Sequence, residues 1–180
     1  MKKVLVTARA FGRFSQEPYE ILERSGCETA PNPWKGQKLS EAQLLTLVGD
    51  VDALICGEDE VTARVIEAAK NLKVISKFGV GVDKIDIGAA SACGVAVCNT
   101  PGANSESVAD MAFCLMLGIA RQLPRTDAEV RQGLWQSIIG CELYRKTIGI
   151  VETAPTASLS QRVFSPGRPM FECIASWLVT

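Results

Sequence analysis

The run from Lys77 to Asp110, KFGVGVDKIDIGAASACGVAVCNTPGANSESVAD, holds most of the residues whose types and spacing could do chemistry. Gly79, Val80 and Gly81 form the heart of one glycine-rich loop, and Asn99–Ser105 (NTPGANS) forms a second. The second loop feeds the N-terminus of a long apolar segment, with Asn104 or Ser105 placed to cap it. Clustered backbone N–H groups beside a helix N-terminus are what a protein offers to an anion such as a carboxylate or phosphate. The same loops also read as plain strand-to-helix turns, in which glycine only satisfies backbone geometry. Lys77 could draw in an anionic ligand, or stand as a solvated lysine. The chain contains no histidine, so it has no imidazole for proton transfer. Glu58–Asp59, Glu106 and Asp110 have no metal-ligand company and read as loop and helix-start charges.

The totals narrow the function classes. A net charge of −1 leaves no footprint for nucleic acid or acidic membranes. The longest apolar run, Met111–Ala120, is about half the length a membrane span needs. The start, MKKVLVTARAFG, reads as a first strand rather than a signal peptide. Seven cysteines occur, an odd number without a C-x-x-C pair. They read as buried, reduced thiols of a cytoplasmic protein, not as a disulfide framework or zinc site.

These loops need a scaffold, and the first hundred residues alternate short apolar runs with amphipathic ones. Strands are expected at Lys3–Thr7, Cys27–Ala30, Ala53–Cys56, Lys73–Ser76 and Val95–Cys98. A helix is expected over Pro18–Ser25, with Ile21 and Leu22 inward and Gly26 as its stop. Ser40 and Gln43 have capping-box spacing and open a helix to Val48. Thr62 caps a helix carrying Val65, Ile66 and Ala69, and Asp86 starts an alanine-rich helix that ends at Gly94. This alternation implies a parallel sheet covered on both faces, a doubly wound flavodoxin-like α/β fold. Ligands of such sheets bind beyond the C-terminal strand ends, where both glycine loops fall. A helix follows over Ser105–Arg121. Its apolar positions Val108, Met111, Ala112, Leu115, Met116 and Ile119 cover more than one face, as in a helix buried between layers or domains. Pro124 opens a further helix to about Gly133, and Lys146–Val151 reads as a strand.

The run from Lys77 to Asp110 closely resembles the D-2-hydroxyacid dehydrogenase family, in particular its phosphoglycerate-dehydrogenase-like branch. Arg131–Trp135 (RQGLW), Gly140–Tyr144 (GCELY) and Lys146–Val151 carry the likeness further, except that Arg145 stands where the family usually has glycine. The resemblance covers residues 1–151. It implies a flavodoxin-like substrate domain over 1–98, then an interdomain helix and the start of a Rossmann cofactor domain over 99–151. It implies an oxidoreductase acting with NAD on the CH–OH group of a small 2-hydroxy or 2-oxo acid. Gly79, Val80 and Gly81 would then meet the substrate carboxylate, and Val80 and Val108 would lie near the cofactor. A homodimer, or association through the interdomain helix, is the implied assembly, with neither nucleic acid nor membrane as partner.

The likeness stops after Val151. A dinucleotide fingerprint G-x-G-x-x-G would place glycines at 152, 154 and 157, where this chain has Glu152, Ala154 and Ala157. The family's catalytic arginine, glutamate and histidine, which lie further on, match nothing here. Read one base back, the codons of residues 152–157 permit Gly-Asn-Gly-Ala-Asn-Gly, so a truncated or frameshifted C-terminus is expected; sequencing the locus decides it. Residues 152–180 are expected to be a poorly ordered tail outside the family pattern. They carry Pro155, Pro166 and Pro169, one candidate short helix at Ser158–Phe164, and the uncharged end Ile174–Val179. The expectation is a dehydrogenase fragment that is inactive alone, because no residue here matches the family's catalytic set. The alternatives are a non-catalytic carboxylate-binding or subunit-docking module, or a pseudogene product.

Overall fold

A computed structural model describes residues 1–149 and the backbone of Phe171–Ile174. The chain divides into two units, Met1–Pro101 and Gly102–Thr180.

The first unit is a five-stranded, all-parallel sheet. Its strands are β1 (Lys2–Val6), β2 (Cys27–Thr29), β3 (Ala53–Cys56), β4 (Val74–Lys77) and β5 (Ala96–Cys98), in the spatial order β2-β1-β3-β4-β5. Val4 pairs with Ala53 across β1 and β3, and Ile75 with both Leu54 and Val97. Helices α1 (Glu17–Arg24), α2 (Glu41–Leu47), α3 (Ala63–Ala68) and α4 (Ile87–Ala92) alternate with the strands. This is the expected α/β fold. The central strands are apolar runs because a parallel sheet is covered on both faces. Leu5, Leu54 and Ile75 are fully buried and join Leu39, Leu44, Val48, Val51, Val61, Val65 and Ile66 in one core.

The helix starts follow the sequence closely. Ser40 and Gln43 make a complete capping box, Thr62 accepts from the Val65 N–H, and Asp86 accepts from the Ala89 N–H at 2.8 Å. Each satisfies an amide that has no partner within its own helix. Gly26 and Gly94 follow α1 and α4 with φ of 73° and 68°, a conformation that favours glycine. One expectation fails here. Ile21 is 49% exposed, so α1 buries less of its apolar face than its pattern suggests, and Leu22 is only half-buried.

The second unit carries α5 (Ser105–Ala120), α6 (Leu123–Arg131), β6 (Lys146–Gly149) and β7 (Phe171–Ile174), with β6 and β7 paired in parallel. Neither expected cap of α5 forms. Asn104 has φ −113° and ψ 8°, outside the extended conformation that folds a cap side chain over the first amides, and makes no cap hydrogen bond. The Ser105 hydroxyl is buried and has no hydrogen-bond partner. The large apolar residues of α5 also depart from a helix enclosed on several sides: Met111, Leu115 and Ile119 are 59, 58 and 78% exposed. Only the small Ala109 and Ala120, with Ser105, are buried. On α6, Arg125 pairs with Glu129 and Arg131 with Asp127, both one helical turn apart. Arg145 has φ of 57°, which explains why glycine suits that position and arginine is costly there. The expected helix Ser158–Phe164 lies outside the described residues. Phe171–Ile174, where the sequence suggested no element, forms β7.

No helix among the described residues is long and apolar enough to cross a membrane. The cysteine expectation is largely overturned. Of the six whose surroundings are described, only Cys56 is buried; Cys27 is half-buried, and Cys93, Cys98, Cys114 and Cys141 are exposed. Apolar neighbours in sequence misled, because Cys93 ends a helix, Cys98 closes an edge strand and Cys114 lies on the open side of α5. Burial pushes the Cys56 thiol up to about 11. The thiolate is the reactive form. Brief labelling of the native chain at mildly alkaline pH should therefore modify Cys93, Cys98, Cys114 and Cys141 and spare Cys56 until denaturant is added. Peptide mapping that finds Cys56 labelled as fast as Cys93 would contradict the packing described for β3.

Candidate functional site

The strand order fixes where a site can form. From β1 the chain crosses to β2 on one side, then returns to β3 on the other. The loops after β1 and β3 therefore diverge at their C-terminal ends, as at the switch point of other open α/β sheets. A cleft of about 390 Å³ opens there. Its walls are Ala8–Ala10 after β1, Gly57 and Glu58 after β3, and Lys77–Gly81 with Asp83 and Lys84 at the end of β4.

Asp59 ties these loops together. It is 1% exposed. One of its oxygens accepts from the Thr7 hydroxyl at 2.6 Å and the Gly57 N–H at 3.4 Å, the other from the Leu39 N–H at 2.7 Å. The carboxylate thus joins the end of β1, the loop after β3 and the segment leading into α2. Two ion-assisted contacts reinforce the same edge. Arg9 pairs with Glu58, and the Lys77 ammonium donates to the Gly57 carbonyl. Lys77 is therefore half-buried and engaged, not a solvated lysine.

The glycine loop is held from its other side. Gly79 has φ of 140°, open to glycine and strained for other residues. Its N–H donates to the Lys77 carbonyl at 2.9 Å and the Thr100 hydroxyl at 3.1 Å. Its carbonyl accepts from the Thr100 N–H at 2.9 Å, and the Asn99 amide donates to the Val80 carbonyl at 2.8 Å. Beyond the loop, the Val61 N–H donates to the Lys84 carbonyl and the Asp86 N–H to the Val61 carbonyl. The loop is pinned at both ends. Among the described residues, the N–H groups of Val80 and Gly81 have no acceptor in the protein. A Cβ added at Gly81 would lie 3.1 Å from Asp83 Oδ2.

Of the residues singled out from sequence, Gly79, Val80 and Gly81 line this one cleft, with Gly79 spending its own amide on the fold. Val108 belongs to the second unit, on α5, and is 42% exposed. Among the described residues no group of three or more His, Cys, Asp or Glu could hold a metal ion. Sequence reasoning missed two parts. Asp59 reads from sequence as a loop charge beside Glu58, and nothing in its neighbours marks it as buried. The sequence presents Asn99 and Thr100 as part of a second glycine loop and gives them no role toward the first, although a hydroxyl and an amide opposite a glycine loop are a usable signal.

Residues 4–171 match the family model of the D-isomer specific 2-hydroxyacid dehydrogenase catalytic domain. That span runs past residue 151. The chain is 39% identical over 140 residues to a D-3-phosphoglycerate dehydrogenase of Archaeoglobus fulgidus, covering 76% of this chain and 26% of that protein. It is 40% identical over 118 residues to a hydroxypyruvate reductase of Thermotoga maritima, covering 64% of this chain and 39% of the relative. The chain thus matches about a quarter to two fifths of these relatives' length. Among solved structures, it is similar to the NAD-dependent formate dehydrogenase of Staphylococcus aureus in complex with NAD. The TM-score is 0.74 at 26% identity, over 96% of this chain and 56% of that one.

The Asp59 knot makes a clear mechanical claim. Asp59→Ala would leave the buried Leu39 N–H and the part-buried Gly57 N–H without this acceptor, and the Thr7 hydroxyl with only its 3.4 Å contact to the Ile55 carbonyl, at roughly 1–3 kcal/mol for each group left unsatisfied. Urea unfolding should show a loss of about 3 kcal/mol or more for this variant, and less than about 1 kcal/mol for Glu58→Ala, which removes only an exposed pair. Equal losses for the two would contradict the assignment.

Proposed function

This chain belongs to the D-isomer specific 2-hydroxyacid dehydrogenase family, and on that premise we propose that its first unit binds the carboxylate of a small 2-hydroxy or 2-oxo acid. The observation that carries the reading is the pair of uncommitted N–H groups at Val80 and Gly81, two residues that line a cleft at the sheet's switch point. Backbone donors held by a rigid loop stabilise an anion without having to reorganise. Gly79 serves the loop as its hinge. Its φ permits the turn, and Thr100 fixes it. The relatives' names, phosphoglycerate dehydrogenase and hydroxypyruvate reductase, indicate three-carbon acids as the first ligands to try.

The parent reaction is hydride transfer between NAD and the 2-carbon of such an acid, with NAD supplying the hydride chemistry when bound. In that arrangement Val80 and Val108 would border the nicotinamide end of the cofactor. The residues after β6 do not fit a pyrophosphate, however. In sequence, Glu152, Ala154 and Ala157 stand where the family's fingerprint has the glycines that let a backbone approach phosphate. The chain's own contribution is to bind and orient the acid. The proton carrier is also missing, since there is no histidine.

A docking role has a separate observation behind it. Val108, Met111, Leu115 and Ile119 recur at helical spacing on α5 and are all more than two-fifths exposed. Self-association through this face is the assembly we propose. Light scattering should show a mass that rises with concentration, and a constant monomer mass would exclude it.

For the central reading, calorimetric titration of the 180-residue chain should detect D-glycerate or D-lactate but not the corresponding amide, which lacks the charge. The same preparation should give no NADH-linked reduction of hydroxypyruvate above a no-protein control. Equal binding of acid and amide would remove the carboxylate site, and steady turnover would remove the proposal that the chain acts only as a binding unit.

A further inference from the structure

The second unit holds a cavity of about 320 Å³ that the carboxylate reading does not use. Phe113, Met116 and Ala120 of α5 form one wall, at the spacing that puts residues on a single helix face. Cys141 and Leu143 form the second wall, and Lys146–Ile148 of β6 the third. The exposed residues Val108, Met111 and Leu115 lie about a third of a turn further round the helix. The segment at residues 139–141 is fastened to the C-terminal end of α5, so the cavity has a fixed floor. The Cys141 N–H donates to the Ala120 carbonyl at 2.8 Å, and the Gln122 amide to the Ile139 carbonyl at 2.8 Å. Between them, a Cβ at Gly140 would lie 2.6 Å from the Ala120 carbonyl oxygen, so only glycine permits this approach. The Lys146 N–H donates to the Leu143 carbonyl at 3.1 Å and fixes where β6 begins.

The chemistry of the walls selects one kind of occupant. They are almost wholly apolar. Among the described residues, Lys146 is the only charged group in them, and no carboxylate joins it there. Lys146 is exposed, and it makes no ion pair with a described residue. A lysine at the edge of an apolar surface lays its methylenes along that surface and keeps its ammonium in water. Apolar walls favour a hydrocarbon chain, and the ammonium favours an anionic head at one end of that chain. A cavity of this size is in the range that encloses a small organic ligand.

We propose that this cavity binds an unbranched aliphatic carboxylate, with its chain against Phe113, Met116, Leu143 and Ile148 and its carboxylate at the Lys146 ammonium. The site is independent of the glycine loop, since none of its residues lines the first unit's cleft. Affinity rises with chain length until the cavity is filled, because each methylene removed from water tightens binding about fourfold. The acid is preferred to the alcohol of the same length, because only the acid answers the lysine.

The test uses the full 180-residue chain and butanoate, hexanoate and octanoate below their micelle concentrations. Calorimetry should show affinity rising about tenfold or more from butanoate to octanoate, with octanoate ahead of octan-1-ol by about threefold or more. Saturating D-glycerate should not displace octanoate. Octanoate should slow thiol labelling at Cys141 and leave the exposed Cys93 of the first unit unchanged. Lys146→Gln should bring acid and alcohol within about twofold of each other and keep the dependence on length. Met116→Trp, which fills the cavity, should abolish binding, while Met111→Ser on the outer side of α5 should leave it in place. Should Met116→Trp not fold, the Lys146→Gln ratio and the protection of Cys141 decide. Absent binding, or equal affinity for the three acids, overturns the proposal. So does binding without protection of Cys141, or a loss as large in Met111→Ser as in Met116→Trp, which would put the ligand on the outer face. If Cys141 labels as slowly as the buried Cys56 before any ligand is added, protein already fills the cavity and the proposal falls.

Discussion

The carboxylate of Asp59 is the point to which three segments at the sheet's C-terminal edge are tied. Thr7 follows β1, Gly57 follows β3, and Leu39 leads into α2; each gives this side chain a hydrogen bond. A buried carboxylate is costly unless its oxygens are satisfied, so the three donors and the acceptor hold one another in place. The consequence is geometric. Crossovers on opposite sides of β1 and β3 force their loops apart, and Asp59 limits how far they part. The cleft opens beside the loop after β1.

The glycine loop is positioned by the same economy of donors and acceptors. Thr100 and Asn99 occupy the Gly79 and Val80 carbonyls, and Thr100 also receives the Gly79 amide. What is left over is a pair of adjacent N–H groups at Val80 and Gly81. Solvent can satisfy them at no great cost, since Gly81 is exposed and Val80 half-buried. An anion with two oxygens would replace that water. The glycine loop is thus held because β4 and β5 are neighbours in the sheet, which brings Lys77–Gly81 against Asn99 and Thr100.

Much of this was legible in the sequence. Apolar runs alternating with capped amphipathic segments placed all five strands of the first unit within about a residue or two, the usual uncertainty of element ends. The capping residues Ser40, Thr62 and Asp86 were readable because a cap is a local interaction between residues three apart. Asn104 failed as a cap because its own backbone conformation decides the matter, and composition does not reveal it. Asp59 and Lys77 failed for a different reason. Their shortest contacts, to Thr7 and Leu39 for Asp59 and to Gly57 for Lys77, span twenty or more residues, so their engagement follows from topology rather than from neighbours. The exposed thiols and Ile21 show the limit of apolar context. A side chain beside apolar residues is buried only if its own face of the element meets the core.

The account stands on two backbone amides, and they can be observed one at a time. In a 15N–1H correlation spectrum of the labelled chain, titration with D-glycerate should move the Val80 and Gly81 amide signals most, toward the positions of hydrogen-bonded amides. Gly79, whose N–H is already held by Thr100, should move less. Shifts that gather elsewhere in the first unit while Val80 and Gly81 stay still would contradict a carboxylate site at this loop.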